Sequence, residues 1–395
     1  MKKPRLCALL VSSVMLLTSC DFLSMLNSYI PSADTTGSTD SAVGVEASEG
    51  GVETTLAEGL KKAQVAVTKT MAQDSIAIAT SIPSLELHMA DVTYTADTNA
   101  SGANDSTSSM TGSCYYRNYI AKNATLDFAA TGLMASEQEA LKASCKVNAE
   151  SFSYSELTAD VADNSVDKAT DTHEFSSVTG AAYVNGNDLY VDASNTDFRS
   201  GLGYVLGLLN INATLGEKSK FSGVLANIAR PIVHSTDLDA YVAEGLKFAI
   251  EKVDFFDKFF DVTTYEDGSS MIYANLGSSD FMKIVALIES STSSVDYDTA
   301  YAALRKTYDY SSLNLGLALT FNDSGITKFV INGTGKIVVS PTKTLEENID
   351  ETTTRTVTTA HTYKFAADVT STFSYGEGIK VELPEDLSVY ADVAY

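Results

Sequence analysis

The chain has 395 residues, of which 44% are apolar and 20% charged, with 20 tyrosines, 16 phenylalanines and no tryptophan. That is enough apolar matter for a sizeable core, which excludes a disordered stalk. The 51 acidic against 27 basic residues, a net charge of −24, exclude nucleic acid and anionic lipid head groups as partners held by charge.

The first residues, Met1-Lys2-Lys3-Pro4-Arg5, form a short positive stretch, and Leu6 to Leu17 follow without a charge. This is the pattern of a secretory signal. Twelve helical residues rise about 18 Å, too little for a hydrocarbon core of about 30 Å, so a lasting transmembrane helix is the poorer reading. The segment ends Leu17-Thr18-Ser19-Cys20, an aliphatic residue, two small ones and cysteine. It resembles the lipobox of bacterial lipoproteins. The resemblance implies a signal peptide over 1–19, cleavage between Ser19 and Cys20, and a lipid on the Cys20 sulfur. The expected partner is therefore a membrane, reached through Cys20; an ordinary signal with a chance cysteine is the alternative. Asp21 resembles an inner-membrane retention signal of some double-membrane bacteria, and which membrane is involved stays open. Loss of Lys2, Lys3 and Arg5 with the signal leaves 24 basic residues against 51 acidic, a net −27.

Residues 20–51, rich in Ser, Thr, Gly, Ala and Asp, are expected to be a lipidated flexible tether. Residues 52–395 then form one α+β domain, with two related halves as a variant. A first helix is predicted over Thr54 to Gln73. From Leu85 to Val191 apolar and polar residues alternate, as in Leu85-Glu86-Leu87-His88-Met89, which predicts strands. Spacings of three and four then join Leu238, Val242, Leu246, Ala249, Val253, Phe256 and Phe260 in a helix with a wide apolar face and Asp237 as N-cap. After Tyr308 strands are expected again, with turns at Asn322-Asp323-Ser324-Gly325 and Asn332-Gly333, and a last strand Ile379 to Leu383 stopped by Pro384.

One internal echo stands out. Tyr183-Val184-Asn185-Gly186, Leu189-Tyr190 and Asp197-Phe198 are repeated 82 to 83 residues later as Tyr265-Glu266-Asp267-Gly268, Ile272-Tyr273 and Asp280-Phe281. Each unit reads as tight turn, strand and capped helix; duplication and coincidence are both open.

Cys7 leaves with the signal and Cys20 takes lipid, so Cys114 and Cys145 remain. An even remainder outside the cytosol is read as one disulfide, stabilising by roughly 3–4 kcal/mol. A reactive or metal-binding pair is the alternative; no Cys-x-x-Cys and no neighbouring histidine speak for it.

No cofactor, metal or catalytic site is expected, and the chain is read as non-enzymatic. Gly201-Leu202-Gly203-Tyr204-Val205-Leu206-Gly207 has the wrong glycine spacing for a dinucleotide fingerprint, and close helix packing is expected to explain it. His173-Glu174 lacks the second histidine of a zinc-protease motif. His88, His173, His234 and His361 are far apart and read as ordinary polar residues of strands or loops. Glu346-Glu347-Asn348-Ile349-Asp350-Glu351 reads as a solvated loop, with a calcium site as the lesser reading.

The order of elements predicts an α+β fold with a large, curved antiparallel sheet and helices packed on one face. Such a plan, in a tethered lipoprotein, is similar to the lipoprotein-carrier family of the LolA and LppX type, through the unit Tyr183 to Phe198 and the closing strand before Pro384. The resemblance implies a half-barrel sheet around a hydrophobic cavity, holding a lipid or another hydrophobic ligand. Phe248, Phe255, Phe256, Phe259 and Phe260 are the candidate hydrophobic face. The alternative is a structural or surface-interaction lipoprotein without a small-molecule ligand.

Overall fold

The structure, a computed structural model, describes residues 44–99, 108–135, 137–162, 165–208, 214–224, 236–293, 295–309, 312–339, 345–348 and 353–393. The signal peptide, Ser19, Cys20 and His234 lie outside the described residues. Strand β1 (Val52–Glu53) leads into helix α1 (Leu56–Met71), where the Thr55 side chain accepts from the Glu58 N–H and caps the first turn. Long strands follow: β2 (Ile76–Asn99), β3 (Ser108–Thr131), β4 (Lys142–Ala162) and β5 (Ser165–Asn185). Then come β6 (Asp188–Asp192), α2 (Thr196–Leu208), β7 (Lys218–Phe221), α3 (Thr236–Glu251) and α4 (Val253–Phe256). The hairpin of β8 (Asp261–Thr264) and β9 (Ser270–Gly277) is followed by α5 (Ser278–Thr292) and α6 (Tyr297–Thr307). The last strands are β10 (Tyr308–Asp309), β11 (Asn314–Asn322), β12 (Gly325–Val339), β13 (Leu345–Asn348), β14 (Thr353–Tyr375) and β15 (Ala391–Asp392).

All fifteen strands among the described residues belong to one open, curled sheet in the order β1-β8-β9-β11-β12-β14-β2-β3-β4-β5-β6-β7-β15, with β10 on β12 and β13 on β14. Every pairing is antiparallel except β15 on β7. The α+β class and the half-barrel-like sheet expected from the sequence are therefore present. So is the placing of helices on one face. Leu56, Leu60, Ala63 and Ala66 of α1 pack with Val262, Ile272, Leu319 and Phe321 of the sheet. Phe198 and Leu202 of α2 pack on Val191 and Phe221, and Phe281 and Met282 of α5 on Ile337, Tyr363 and Phe365. Strand alternation puts all these sheet positions on one side, the inner face.

A row of irregular positions crosses the long strands. Pro83, Asn123, Glu150 and Ser177 are skipped in the otherwise continuous ladders, and Asn123 (φ 45°) and Ser177 (φ 53°) are left-handed. Residues three apart normally lie on opposite faces of a strand. Here Ala149 and Val178 pack in one cluster with Phe152 and Phe175, three residues further on. The row therefore exchanges the two faces of β2 to β5. Strand β14 makes no such exchange, and its register against β2 slips by one residue between Asp368 and Thr370. The groups freed at the row are taken up from the start of α2. Asp197 accepts from the Ser176 N–H (3.0 Å), and the Asn195 amide donates to the Ser177 carbonyl (3.0 Å).

The outer face holds both ends of the described chain. Val45 is buried there beside Met271 and Ala318, and the Asn275 side chain clamps it, accepting from the Val45 N–H (2.8 Å) and donating to its carbonyl (2.9 Å). Residues 44–51, assigned to the expected tether, are therefore part of the folded chain. At the other end of the sheet, Tyr390 packs edge-on against Tyr190, and Glu382 pairs with Lys146 at 3.5 Å.

Several expectations are corrected. Ile379 to Leu383 is not a strand; it crosses the outer face without a ladder partner, and a 3-10 turn, Leu387–Val389, follows. Asn332-Gly333 is not a turn but the middle of β12: Gly333 lies opposite Leu315, with room for no side chain, since a Cβ would sit 2.8 Å from the Asn314 carbonyl oxygen. Glu346 to Asn348 pair with β14 in a short strand, and 349–351 fall outside the described residues. The long middle helix breaks at Lys252 into α3 and α4, and Asp237 lies inside its first turn. Close packing among the described residues does not explain Gly201 and Gly203, since a Cβ at either would meet none of them within 4 Å. Both echo units are hairpin, strand and helix, with a following strand, β7 or β11, antiparallel to the strand before the helix.

Candidate functional site

The inner face is not evenly covered. Helix α1 lies over β8, β9, β11 and β12, and α2 over the β5–β7 end, where Gly180 admits the Phe198 ring: a Cβ there would be 2.2 Å from it. Between them the floor of the curled sheet is Phe373 of β14, Ile78 of β2, Leu126 and Phe128 of β3, and Cys145 and Val147 of β4. Cross-strand pairing puts Phe373, Ile78, Phe128 and Cys145 in one row, and Leu126 and Val147 in the next row of the same face. All six are only half-buried, whereas Ala124, Ala130, Ala143 and Ala149 around them are buried. The polar pair on this floor, Thr80 and Ser371, is satisfied internally by a mutual hydrogen bond of 2.9 Å. The result is an apolar trough whose floor offers no charge.

Cys145 is a free thiol. The expected disulfide with Cys114 is contradicted by the register: Cys145 lies opposite Phe128, whereas Cys114 lies on the same strand as Phe128, fourteen residues away. At about 3.3 Å per residue the two are roughly 45 Å apart, against the 7 Å that a disulfide tolerates between Cα atoms. Burial, and then the Asp127 carboxylate, pushes the Cys145 thiol up to about 11, so it is held neutral and unreactive near pH 7.

The five phenylalanines of the candidate face are brought together, but they do not line the trough. They form a chain of rings: Phe248 to Phe256 (6.1 Å), Phe256 to Phe260 (6.1 Å), Phe255 to Phe256 (5.7 Å) and Phe255 to Phe259 (5.3 Å). Phe256 and Phe260 pack on the α1 core. Phe255 meets Tyr297 of α6 at 5.9 Å, and Lys283 of α5 lies over Phe259. This is a joint between helices, with the edge-on geometry aromatic rings prefer. The trough floor escaped the sequence reading because its residues are scattered between positions 78 and 373 on four strands.

Beyond the irregular row the inner face carries a second aromatic tract. Tyr119 meets Tyr154 at 5.1 Å, Phe152 stacks on Phe175 at 6.0 Å, and His173 stacks between Tyr154 and Phe175. Tyr154 donates to Glu156, which also pairs with Arg117. On the outer face His88 bonds Asn118 and pairs with Glu86 at 3.5 Å, while Asn118 donates to Ser155. His361 lies on β14. Among the described residues, no group of three His, Cys, Asp or Glu side chains is placed to hold a metal ion. No described helix is long and apolar enough to cross a membrane, which says nothing of strands.

No protein-family model matches the chain. No curated protein matches it. Among solved structures, the outer membrane protein OprG from Pseudomonas aeruginosa aligns with 75% of this chain and 98% of its own, at 8% identity and a TM-score of 0.09. A likeness that weak carries no argument about fold or function.

Proposed function

We propose that the protein is a non-enzymatic lipoprotein of the bacterial cell envelope that holds a lipid or another hydrophobic ligand against the inner face of its sheet. One observation carries the reading: six apolar residues form the half-buried floor of an open, curled sheet between two groups of helices. Apolar surface of that kind is costly in water and is stabilised by a ligand with acyl or other hydrocarbon parts. The uncharged floor leaves any polar head group to the trough's rim. The N-terminal signal and Cys20 supply the location on this reading, with two or more acyl chains giving a stable anchor where one would bind only marginally.

A second reading, a structural or surface-interaction protein, is favoured by one observation of its own. Positions 165–175 of β5 pair with β4, and no described strand pairs with their other edge, the kind of edge that takes strand addition; from Ser176 on, the start of α2 occupies it.

The test is native mass spectrometry of the exported chain carrying Cys20→Ala, followed by organic extraction. The expected result is a stoichiometric hydrophobic ligand whose removal exposes Cys145 to maleimide at pH 9 and whose return protects it. A clean apo mass, with no uptake of fatty acid or phospholipid and no change at Cys145, would overturn the ligand reading in favour of the surface-interaction one.

A further inference from the structure

The uncharged floor does not stop at the irregular row. On the inner side of β3 it runs Phe128, Leu126, Ala124, Ala121, Tyr119, and the positions of β2 and β4 paired with these carry no charge either. Half-buried Ile82 joins the tracts on the two sides of the row, packing in the cluster that also holds Phe152 and Phe175. The outer face over the same span carries Glu86, Lys122, Asp127 and Lys146, so charge is plentiful here and is kept to one side. The first charges met on the inner side of these three strands are Arg117 and Glu156, directly opposite each other on β3 and β4.

The two ends of this floor differ. At the near end Ala130 and Ala143 are buried, and the Tyr375 hydroxyl is tied to Thr70 and to the Ile326 carbonyl. At the far end the Arg117 and Glu156 side chains are 24% and 30% exposed, and their contact of 3.7 Å is longer than a hydrogen bond of about 2.7–3.2 Å. Tyr119 and Tyr154 stand one row in from the pair, with Tyr154 buried and donating to Glu156. From Phe128 to Arg117 the strand advances eleven residues, one of them the skipped Asn123, which is about 33 Å of floor. One leaflet of a bilayer has about 15 Å of hydrocarbon, half of a core of about 30 Å, so the floor holds a lipid tail with room for its head group.

A carboxylate and a guanidinium side by side match a head group that carries both signs. A phosphate gains charge-assisted hydrogen bonds from Arg117, and an ammonium gains the Glu156 carboxylate and the faces of tyrosine rings. A head group with an anion alone gains Arg117 but is set against Glu156, in a chain whose net charge of −24 already repels it. We infer that the ligand is a zwitterionic phospholipid, its acyl chains on the floor between Phe128 and Tyr119 and its head group at Arg117 and Glu156. This rests on the hydrophobic-ligand reading above and adds to it the class of head group and the direction in which the lipid lies.

The test uses the exported chain with Cys20→Ala, stripped by organic extraction and offered phosphatidylethanolamine or phosphatidylglycerol with the same acyl chains. Uptake is read by native mass spectrometry and by protection of Cys145 from maleimide. Phosphatidylethanolamine is expected to bind at least about tenfold tighter. Glu156→Gln is expected to abolish that preference, and Arg117→Gln to weaken both lipids alike. The double variant Arg117→Gln with Glu156→Gln, which leaves neither charge alone, is expected to bind both equally and still protect Cys145. Because the chain has no tryptophan, Tyr119→Trp and Leu126→Trp each supply a single reporter. A quencher on the head group is expected to act at position 119, and one at the end of the acyl chain at position 126. Uptake of both lipids with equal affinity, or quenching in the reverse order, overturns this inference and leaves the hydrophobic-ligand reading standing. No uptake of either lipid, with Cys145 unprotected, overturns both.

Discussion

Cys145 sits in the row Phe373, Ile78, Phe128 with its thiol pushed up to about 11, first by burial and then by Asp127. A raised pKa means that the folded state holds the proton more tightly than the unfolded chain does. The stability this contributes is complete below pH 9 and is lost as pH rises from 9 to 11. Tyr390 behaves alike one step higher, pushed up to about 12 by burial, Asp192 and Tyr183. Thermal unfolding is therefore expected to weaken progressively above pH 9. Cys145→Ala is expected to flatten the profile between pH 9 and 10, where Cys145 acts before the tyrosines, and to lessen the slope from 10 to 11. Mass mapping under non-reducing conditions is expected to find no peptide joining positions 114 and 145.

At the scale of the element, the row Pro83, Asn123, Glu150 and Ser177 turns one long apolar alternation into two. Asn123 donates to Glu150 across it, and α2 binds its far end through Asn195 and Asp197. A left-handed conformation is strained for a β-branched residue. Ser177→Val is expected to destabilise the fold by about 1–3 kcal/mol in urea unfolding, and Ser177→Gly to be neutral or slightly stabilising, because glycine adopts φ 53° without strain. Equal losses in both variants would show that the Ser177 side chain, not its backbone, matters at the row.

For the molecule as a whole, the sheet is one continuous layer, and its two described ends are fastened to the face away from the helices. The fastening at Val45 depends on a close approach: a Cβ on Gly316 would sit 3.0 Å from the Val45 side chain and 3.1 Å from its nitrogen. Gly316→Val is expected to lift residues 44–48 off the sheet, giving up the two bonds to Asn275 at about 0.5–1.5 kcal/mol each. Hydrogen exchange is the measurement: the Val45 amide should lose its protection while amides in β2 to β4 keep theirs. Unchanged protection at Val45 would show that another contact holds the strap.

The class of fold, the helix at Leu56–Met71, the strands from Leu85 to Val191 and the Asn322 to Gly325 turn were legible in the sequence, because each is set by local periodicity or turn chemistry. Local pattern failed where distant chain supplies the partner. Asn-Gly at 332–333 reads as a turn, but β11 and β14 on either side hold it in a strand. Two cysteines count as a pair, but a ladder register places them fourteen residues apart. The extended run before Pro384 finds no ladder partner, because it lies across the outer face, where Glu382 meets Lys146 of β4, and not along a sheet edge. The candidate trough was illegible for the same reason. Alternation along one strand tells which residues share a face, but only pairing among strands nearly 300 residues apart decides which faces meet, and only the left-handed row at Asn123 and Ser177 decides where those faces change sides.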